Sequence, residues 1–338
     1  MTAATRPSDR YLELVCPAGT PAALRAAVDA GADTVYCGFR DCTNARNYPG
    51  LNFDVDELRE GVAYAHARDR RVLVAINTFP RAGDAGPWHR AVDQAAAAGA
   101  DAVILADIGV LDYATRRQPG LRRHLSVQAS AANGPSLAFY REHFDVKRVV
   151  LPRVLSVADV AQIVAESRLE IEVFAFGSVG PMSEGRCFLS SYFTGLSPTS
   201  EGACAPASHV EYLERDGRMF STLGKVTLNS FARGEPAAYP TPCKGRYVTH
   251  GRASYLFEEP VALNAISILP ELKAAGVTAL KIEGRQRSRA YVAQIVGRFR
   301  DVLDALARGD AMPQGLGDLK GEAEGGRETF GAYHKGWR

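Results

Sequence analysis

A helix that stops at a Gly-Ala-Asp turn and restarts as a short apolar strand recurs along this chain. Ala22 to Ala30 is an apolar-rich helical stretch, Gly31-Ala32-Asp33 ends it, and Thr34-Val35-Tyr36-Cys37-Gly38 reads as a buried strand. The same order returns at Ala91 to Ala98, Gly99-Ala100-Asp101 and Ala102 to Asp107. A third copy runs through Leu272 to Ala275, Gly276-Val277-Thr278 and Ala279 to Gly284. Glycine suits the end of a helix because it adopts the left-handed conformation there without a Cβ clash. Short apolar strands between helices signal a parallel sheet covered by those helices. Eight strands are expected: Glu13–Cys16, Thr34–Gly38, Val72–Asn77, Ala102–Asp107, His124–Ala129, Arg148–Arg153, Ile171–Gly177 and Ala279–Glu283. Eight strand–helix units predict an α/β fold of the TIM-type (βα)8 barrel. An open doubly wound sheet is disfavoured, because no Gly-rich phosphate fingerprint follows the first strand.

The alternation lapses once. From Ser178 to about Pro260 the chain is rich in Gly, Ser, Pro and Tyr and keeps no helix–strand rhythm. This long insertion follows the seventh strand, so it is expected on the C-terminal face of the barrel, where such barrels build their active sites. Residues 1–308 are therefore expected to form one barrel domain carrying the insertion 178–260. Residues 309–338 are expected to form a flexible segment and tail, Gly-rich and charged from Gly309 to Glu328, with the aromatic end Phe330 to Trp337 docking back.

Composition narrows the classes further. Of the 338 residues 46% are hydrophobic, enough for a sizeable core, and 40 basic against 38 acidic side chains leave a formal charge of +2. A dedicated nucleic-acid binder is usually far more basic. No apolar run reaches membrane-spanning length. Met1 to Arg10 is polar and lacks the apolar centre of a secretory signal, so a cytoplasmic location is expected.

Polar side chains end several strands: Asn77, Asp107, Gln128, Arg153 and Glu283, with Arg285 just beyond and Arg46 and Arg186 in loops. Arg46, Asn77, Gln128, Arg153, Arg186, Glu283 and Arg285 are taken together as a candidate pocket for an anionic small molecule. Arginine suits this task because its planar fork pairs with a carboxylate at two points. The six cysteines fall into two groups. Cys16 and Cys37 read as small residues at the core edge, while Cys42 precedes an irregular loop. Cys187, Cys204 and Cys243 lie in the insertion beside Gly, Pro or Arg, without a Cys-x-x-Cys pair. Thiolates ligate zinc and iron–sulfur clusters, so these three are candidate metal ligands; the alternative is idle thiols. Neither a His-Glu-x-x-His helix nor a Gly-x-Ser-x-Gly elbow is present.

Several motifs resemble the collagenase-like peptidase family. They are Glu13-Leu-Val-Cys-Pro-Ala-Gly19, Thr43-Asn-Ala-Arg-Asn47 through Gly50-Leu-Asn-Phe53, Phe176-Gly-Ser178, Met182-Ser-Glu-Gly-Arg-Cys187, Cys243-Lys-Gly-Arg246 and Lys281-Ile-Glu-Gly-Arg-Gln-Arg-Ser288. The resemblance covers about Leu12 to Trp337, including the ending Gly331-Ala-Tyr-His334. It implies an iron–sulfur subunit that hydroxylates the aromatic ring of a ubiquinone precursor without molecular oxygen. A UbiV-type sister subunit would complete a heterodimer, and prephenate would donate the oxygen. It also implies a 4Fe-4S cluster on four cysteines, three of them matching Cys187, Cys204 and Cys243. The fourth falls at Gly180, which has no side-chain ligand. Three arrangements follow: a three-cysteine cluster with an open position, a replacement ligand such as Ser178, Ser183 or Cys42, or no cluster. Hydroxylation of RNA bases, a non-catalytic partner role and peptidase activity are the alternative functions.

Overall fold

The computed structural model describes residues 11–235, 238–313 and 315–335. Met1 to Arg10 and Trp337 therefore lie outside the described residues. Eight parallel strands close on themselves: β1 (Glu13–Pro17), β2 (Thr34–Gly38), β3 (Arg71–Ile76), β4 (Ala102–Leu105), β5 (Arg122–Leu125), β6 (Arg148–Val150), β7 (Glu170–Ser178) and, beyond the insertion, β14 (Ala279–Ile282). Leu280 of β14 faces both Leu14 of β1 and Val173 of β7, so β14 closes the ring. This is the expected TIM-type barrel. The repeated turn has a direct structural role. The Asp33 carboxylate accepts from the Leu14 amide at 2.8 Å, and that of Asp101 from the Val72 amide at 2.7 Å. Each such Asp fastens the start of its strand to the strand before it.

The outer ring comprises α1 (Pro21–Asp29), α2 (Val55–His66), α3 (Gly86–Ala97), α4 (Ile108–Arg117), α5 (Gly134–Phe144) and α6 (Val157–Ser167). Two short helices in the insertion, α7 (Leu189–Thr194) and α8 (Pro198–Glu201), precede α9 (Leu269–Ala274) and α10 (Arg289–Arg308). Capping boxes start α2 (Asp54 with Glu57) and α6 (Ser156 with Asp159). Helix α10 buries Val292, Ile295, Val296, Phe299, Val302 and Leu303, an i, i+3/i+4 stripe against the barrel. The main core lies between the outward faces of the strands and these stripes.

The lumen is partly ionic. Arg148 on β6 donates to Glu13 at 2.6 Å and to Glu170 at 2.9 Å, and reaches Glu172 at 3.3 Å. Lys281 on β14 donates to Glu172 at 2.7 Å, and the Thr34 hydroxyl donates to Glu13 at 2.5 Å. Buried ions cost several kcal/mol each unless paired and hydrogen-bonded, which is how this set is arranged. His124 lies beside it, kept neutral by burial and then by the charges of Arg148 and Arg122.

The insertion builds its own sheets. Strands β8 (Val210–Arg215), β9 (Arg218–Leu223) and β10 (Val226–Phe231) form an antiparallel sheet, and β11 (Arg246–Thr249) pairs with β12 (Arg252–Tyr255) as a hairpin. The returning chain forms β13 (Ala262–Asn264), antiparallel to the end of β7. The two ends of the insertion are thus zipped together by Ser178, Gly177 and Phe176. The segment after α10, expected from its Gly-rich composition to be mobile, has fixed contacts in its described residues. Leu316 and Ala323 are buried, and β15 (Glu328–Thr329) adds to β13. Tyr333 is buried and its hydroxyl donates to the Phe174 carbonyl at 2.5 Å. Among the described residues, no helix is long and apolar enough to cross a membrane.

Candidate functional site

Glu283 sits just past β14, and its carboxylate bridges two arginines. One oxygen accepts from Arg46, on the loop after β2, and the other from Arg153, after β6, at 2.6 Å. The backbone makes room for it: Gly177 has a φ of +139°, and a Cβ there would lie 2.5 Å from that of Glu283. Arg153 also pairs with Glu184 of the insertion and lies over the Phe174 ring at 3.4 Å. Arg285 donates to the side-chain Oδ1 of Asn44 at 3.2 Å, and its guanidinium stands 5.4 Å from the centre of the Tyr36 ring. Tyr36 in turn donates to the Ile282 carbonyl at 2.9 Å.

Electrostatics in this mouth follow from burial and close charge. Burial alone would raise the Glu283 carboxyl, but the charges of Arg153 and Arg46 outweigh it and hold it down at about 2. Arg285 has less carboxylate nearby, and burial pulls it down to about 10. Three guanidiniums thus face two carboxylates, leaving one net positive charge. The Nε of Arg153 and one oxygen of Glu184 are buried without a hydrogen-bond partner. Buried polar atoms rarely stay unpaired, so the mouth suits a small anion with acceptor and donor groups of its own.

The seven residues expected to form one pocket divide into three places. Arg46, Arg153, Glu283 and Arg285 share the mouth. Asn77 supports it from below: its carbonyl oxygen accepts from the Ala45 amide and its NH2 donates to Ser126, both at 3.0 Å. Gln128 and Arg186 instead line a separate cleft of about 230 Å³ at the ends of β4 and β5, with Asp107, Ile108 and Tyr140. Gln128 is there because β5 stops at Leu125, and Ser126 caps a single 3-10 turn, Val127–Ala129. Glu184, Asn44 and Tyr36 went unnoticed in the sequence. Glu184 and Asn44 carried a signal, their places inside the Met182–Cys187 and Thr43–Asn47 motifs.

Cys187, Cys204 and Cys243 come from three separate loops of the insertion and are half-buried. The Cys243 thiol is pushed up to about 11 by burial and then by the neighbouring Cys204 and Cys187. Cys187 is raised by burial, with Cys204 adding to it. The Tyr48 hydroxyl lies 3.4 Å from the Cys204 sulfur, and the Asn47 amide donates to the Gly202 carbonyl at 3.1 Å. The loop carrying Arg46 is therefore tied to a cysteine loop. Among the described residues no three His, Cys, Asp or Glu side chains converge tightly enough for a single metal ion. Cys204 contributes to raising both other thiols, so the three loops bring their thiols into one neighbourhood. A Cβ at Gly180 would meet nothing within 4 Å, so no side chain fills the fourth position. Of the substitutes, Ser178 accepts from Lys244 at 2.7 Å and Ser183 lies 3.4 Å from Ser130. Cys42 senses Asp41, Asp84 and Arg81 rather than the other thiols. Cys16 and Cys37 are fully buried, their thiols raised by burial, as core residues should be.

A closed (βα)8 barrel with a charged mouth and a thiol-bearing insertion at its C-terminal face places the chain among the α/β-barrel proteins. Residues 19–329 match the model of peptidase family U32, and the chain belongs to that family. A protein of Escherichia coli K12 named tRNA hydroxylation protein P is 30% identical over 326 residues, covering 88% of this chain and 69% of its own length. An uncharacterized protease of Methanocaldococcus jannaschii is 31% identical over 303 residues, covering 88% of this chain and 66% of its own. The collagenase of Porphyromonas gingivalis is 26% identical over 316 residues, covering 90% and 68%. The chain thus spans about two thirds of the length of these relatives.

Proposed function

We propose that this chain is a subunit for hydroxylation of an unsaturated ring without molecular oxygen, using an iron–sulfur cluster on Cys187, Cys204 and Cys243. The observation that carries this is the linkage of thiol loops to an anion-holding mouth. Glu184 of the Ser183–Cys187 segment pairs with Arg153, and Tyr48, two residues from Arg46, touches Cys204. Replacing a ring C–H by C–OH with a water-level oxygen releases two electrons and two protons, and a cluster held by the three thiolates would pass the electrons one at a time to an external redox acceptor. Arg46, Arg153 and Arg285 would bind and orient an anionic oxygen donor, while Glu283 holds the first two guanidiniums apart. The finer assignment is a UbiU-like subunit acting with a UbiV-type partner on a ubiquinone precursor, with prephenate as donor. Anaerobic purification followed by iron and sulfide analysis is the test, with wild type beside Gly180→Cys. Brown protein is expected, with greater cluster retention in air for the variant, because the added side chain meets no neighbour. Iron-free protein after anaerobic reconstitution would overturn the proposal.

The relatives' names support a second reading, hydroxylation of an RNA base. The formal charge of +2 gives phosphate little to bind. Tight binding of transfer RNA that weakens steeply with salt would put this reading first.

A further inference from the structure

We infer that the cleft at the ends of β4 and β5 is a subsite for a planar ring bearing one anionic group, the group resting on Arg186. This rests on the hydroxylation reading and gives the ring a place of its own, apart from the mouth. In the hydroxylation reading the mouth is taken by the anionic donor, and its lining of Arg46, Arg153, Arg285, Glu184 and Glu283 offers charge rather than an apolar wall for a second, aromatic ring. The cleft differs in kind. Phe79 and Ile108 supply apolar walls, Asp107, Gln128 and Tyr140 supply hydrogen-bonding edges, and Arg186 supplies one charge. Its volume of about 230 Å³ exceeds the roughly 150 Å³ that admits benzene in an engineered cavity.

Arg186 is exposed and has no ion-pair partner among the described residues. Its charge is felt across the cleft by the Tyr140 hydroxyl, which burial raises, Arg186 lowers and Asp107 raises. One short segment joins the three places that the chemistry needs. Glu184 enters the mouth, Gly185 and Arg186 line the cleft, and Cys187 follows. The segment is held where it is by its own backbone. Gly185 has a φ of +75°, its would-be Cβ lies 1.9 Å from the Gln128 carbonyl oxygen, and Ser130 donates to the Glu184 carbonyl. A ring in the cleft and a donor in the mouth would thus flank the same segment that ends at Cys187.

The test titrates the full chain with 4-hydroxybenzoate and, separately, with uridine 5′-monophosphate, followed by calorimetry. The first carries its anion as a carboxylate and the second as a phosphate, so the tighter of the two identifies the source of the ring. Arg186→Glu should weaken that ligand by about tenfold or more, as loss of a charge-assisted hydrogen bond implies. Ile108→Trp, which fills the cleft, should abolish binding. The same charge reversal at Arg116, an exposed residue of α4 paired with Asp112, should leave affinity within about twofold, as expected for a screened surface charge. Iron content should not change in any of the three. Affinity unaltered by both cleft substitutions, or no binding of either ring at millimolar concentration, would overturn the inference. Iron-free wild type with intact ring binding would instead sink the hydroxylation reading and leave the ring site standing.

Discussion

Glu283 holds two guanidiniums with one carboxylate, and its ionisation is worth measuring directly. Its carboxyl lies at about 2 against an ordinary 4.5. A depressed carboxyl contributes stability that is fully present above the unfolded value and is lost as pH falls through the folded one. The shift corresponds to about 3 kcal/mol. Glu283→Gln should therefore cost about 3 kcal/mol in urea unfolding at pH 7. The gap to wild type should close between pH 4.5 and 2, where the native side chain also becomes neutral. A gap that persists at the lower limit would mean that the charge is not what Arg46 and Arg153 require. At this scale the sequence was informative about residue type and silent about pairing. Arg46, Arg153, Glu283 and Arg285 could be picked out because they follow strands. Glu184 and Asn44 stand inside quoted motifs, but their pairing with Arg153 and Arg285 was not legible, because those contacts span 31 and 241 residues of chain.

Elements were most legible where their cause is local. The Gly-Ala-Asp turns placed strands correctly because the Asp carboxylate and the helix-ending Gly act within a few residues. Helix α6 starts where the sequence writes its capping box, in Ser156 and Asp159. The sheet of β8, β9 and β10 was not legible. Nearly all of β8 is exposed, and the fully buried part of the cluster beneath the sheet is Ala205, Leu223 and Leu228, so no alternating pattern along β8 announces it. The Ser183–Cys187 segment is a third kind of element, fixed by one close approach. Gly185→Ala would place a methyl 1.9 Å from a carbonyl oxygen at a φ that L-residues disfavour by about 1–2 kcal/mol. The segment should yield before the barrel does. In cluster-free protein, alkylation of Cys187 should accelerate by about tenfold, while global stability falls by no more than about 2 kcal/mol. Mass spectrometry of alkylated peptides checks the first and urea unfolding the second. Unchanged alkylation would show that Cys187 is held by other contacts.

On the scale of the whole molecule, β7 joins every part. It pairs with β6 and β14 in the barrel, gives rise to the insertion, and carries β13 beyond its end. Through β13 it also receives β15 and the residues that follow. Tyr333 completes this arrangement, since its hydroxyl bonds the Phe174 carbonyl while the Phe174 ring lies under Arg153. The chain after α10 is thus the floor of the wall that holds the mouth. The aromatic end was expected to dock, but the Gly-rich composition before it does not show where, because β15, Leu316, Ala323 and Tyr333 reach partners far away in the chain, 159 residues in the case of Tyr333. Two substitutions separate the hydrogen bond from the packing. Tyr333→Phe keeps the ring and removes one buried hydrogen bond, which should cost about 1 kcal/mol. Tyr333→Ala also empties the space of an aromatic ring and should cost about 3–5 kcal/mol. Because Arg153 rests on Phe174, the alanine variant should also weaken binding of the anionic donor, whereas the phenylalanine variant should not. Urea unfolding and donor titration of both variants measure the two effects, and two silent substitutions would mean that the tail lies on the barrel without supporting it.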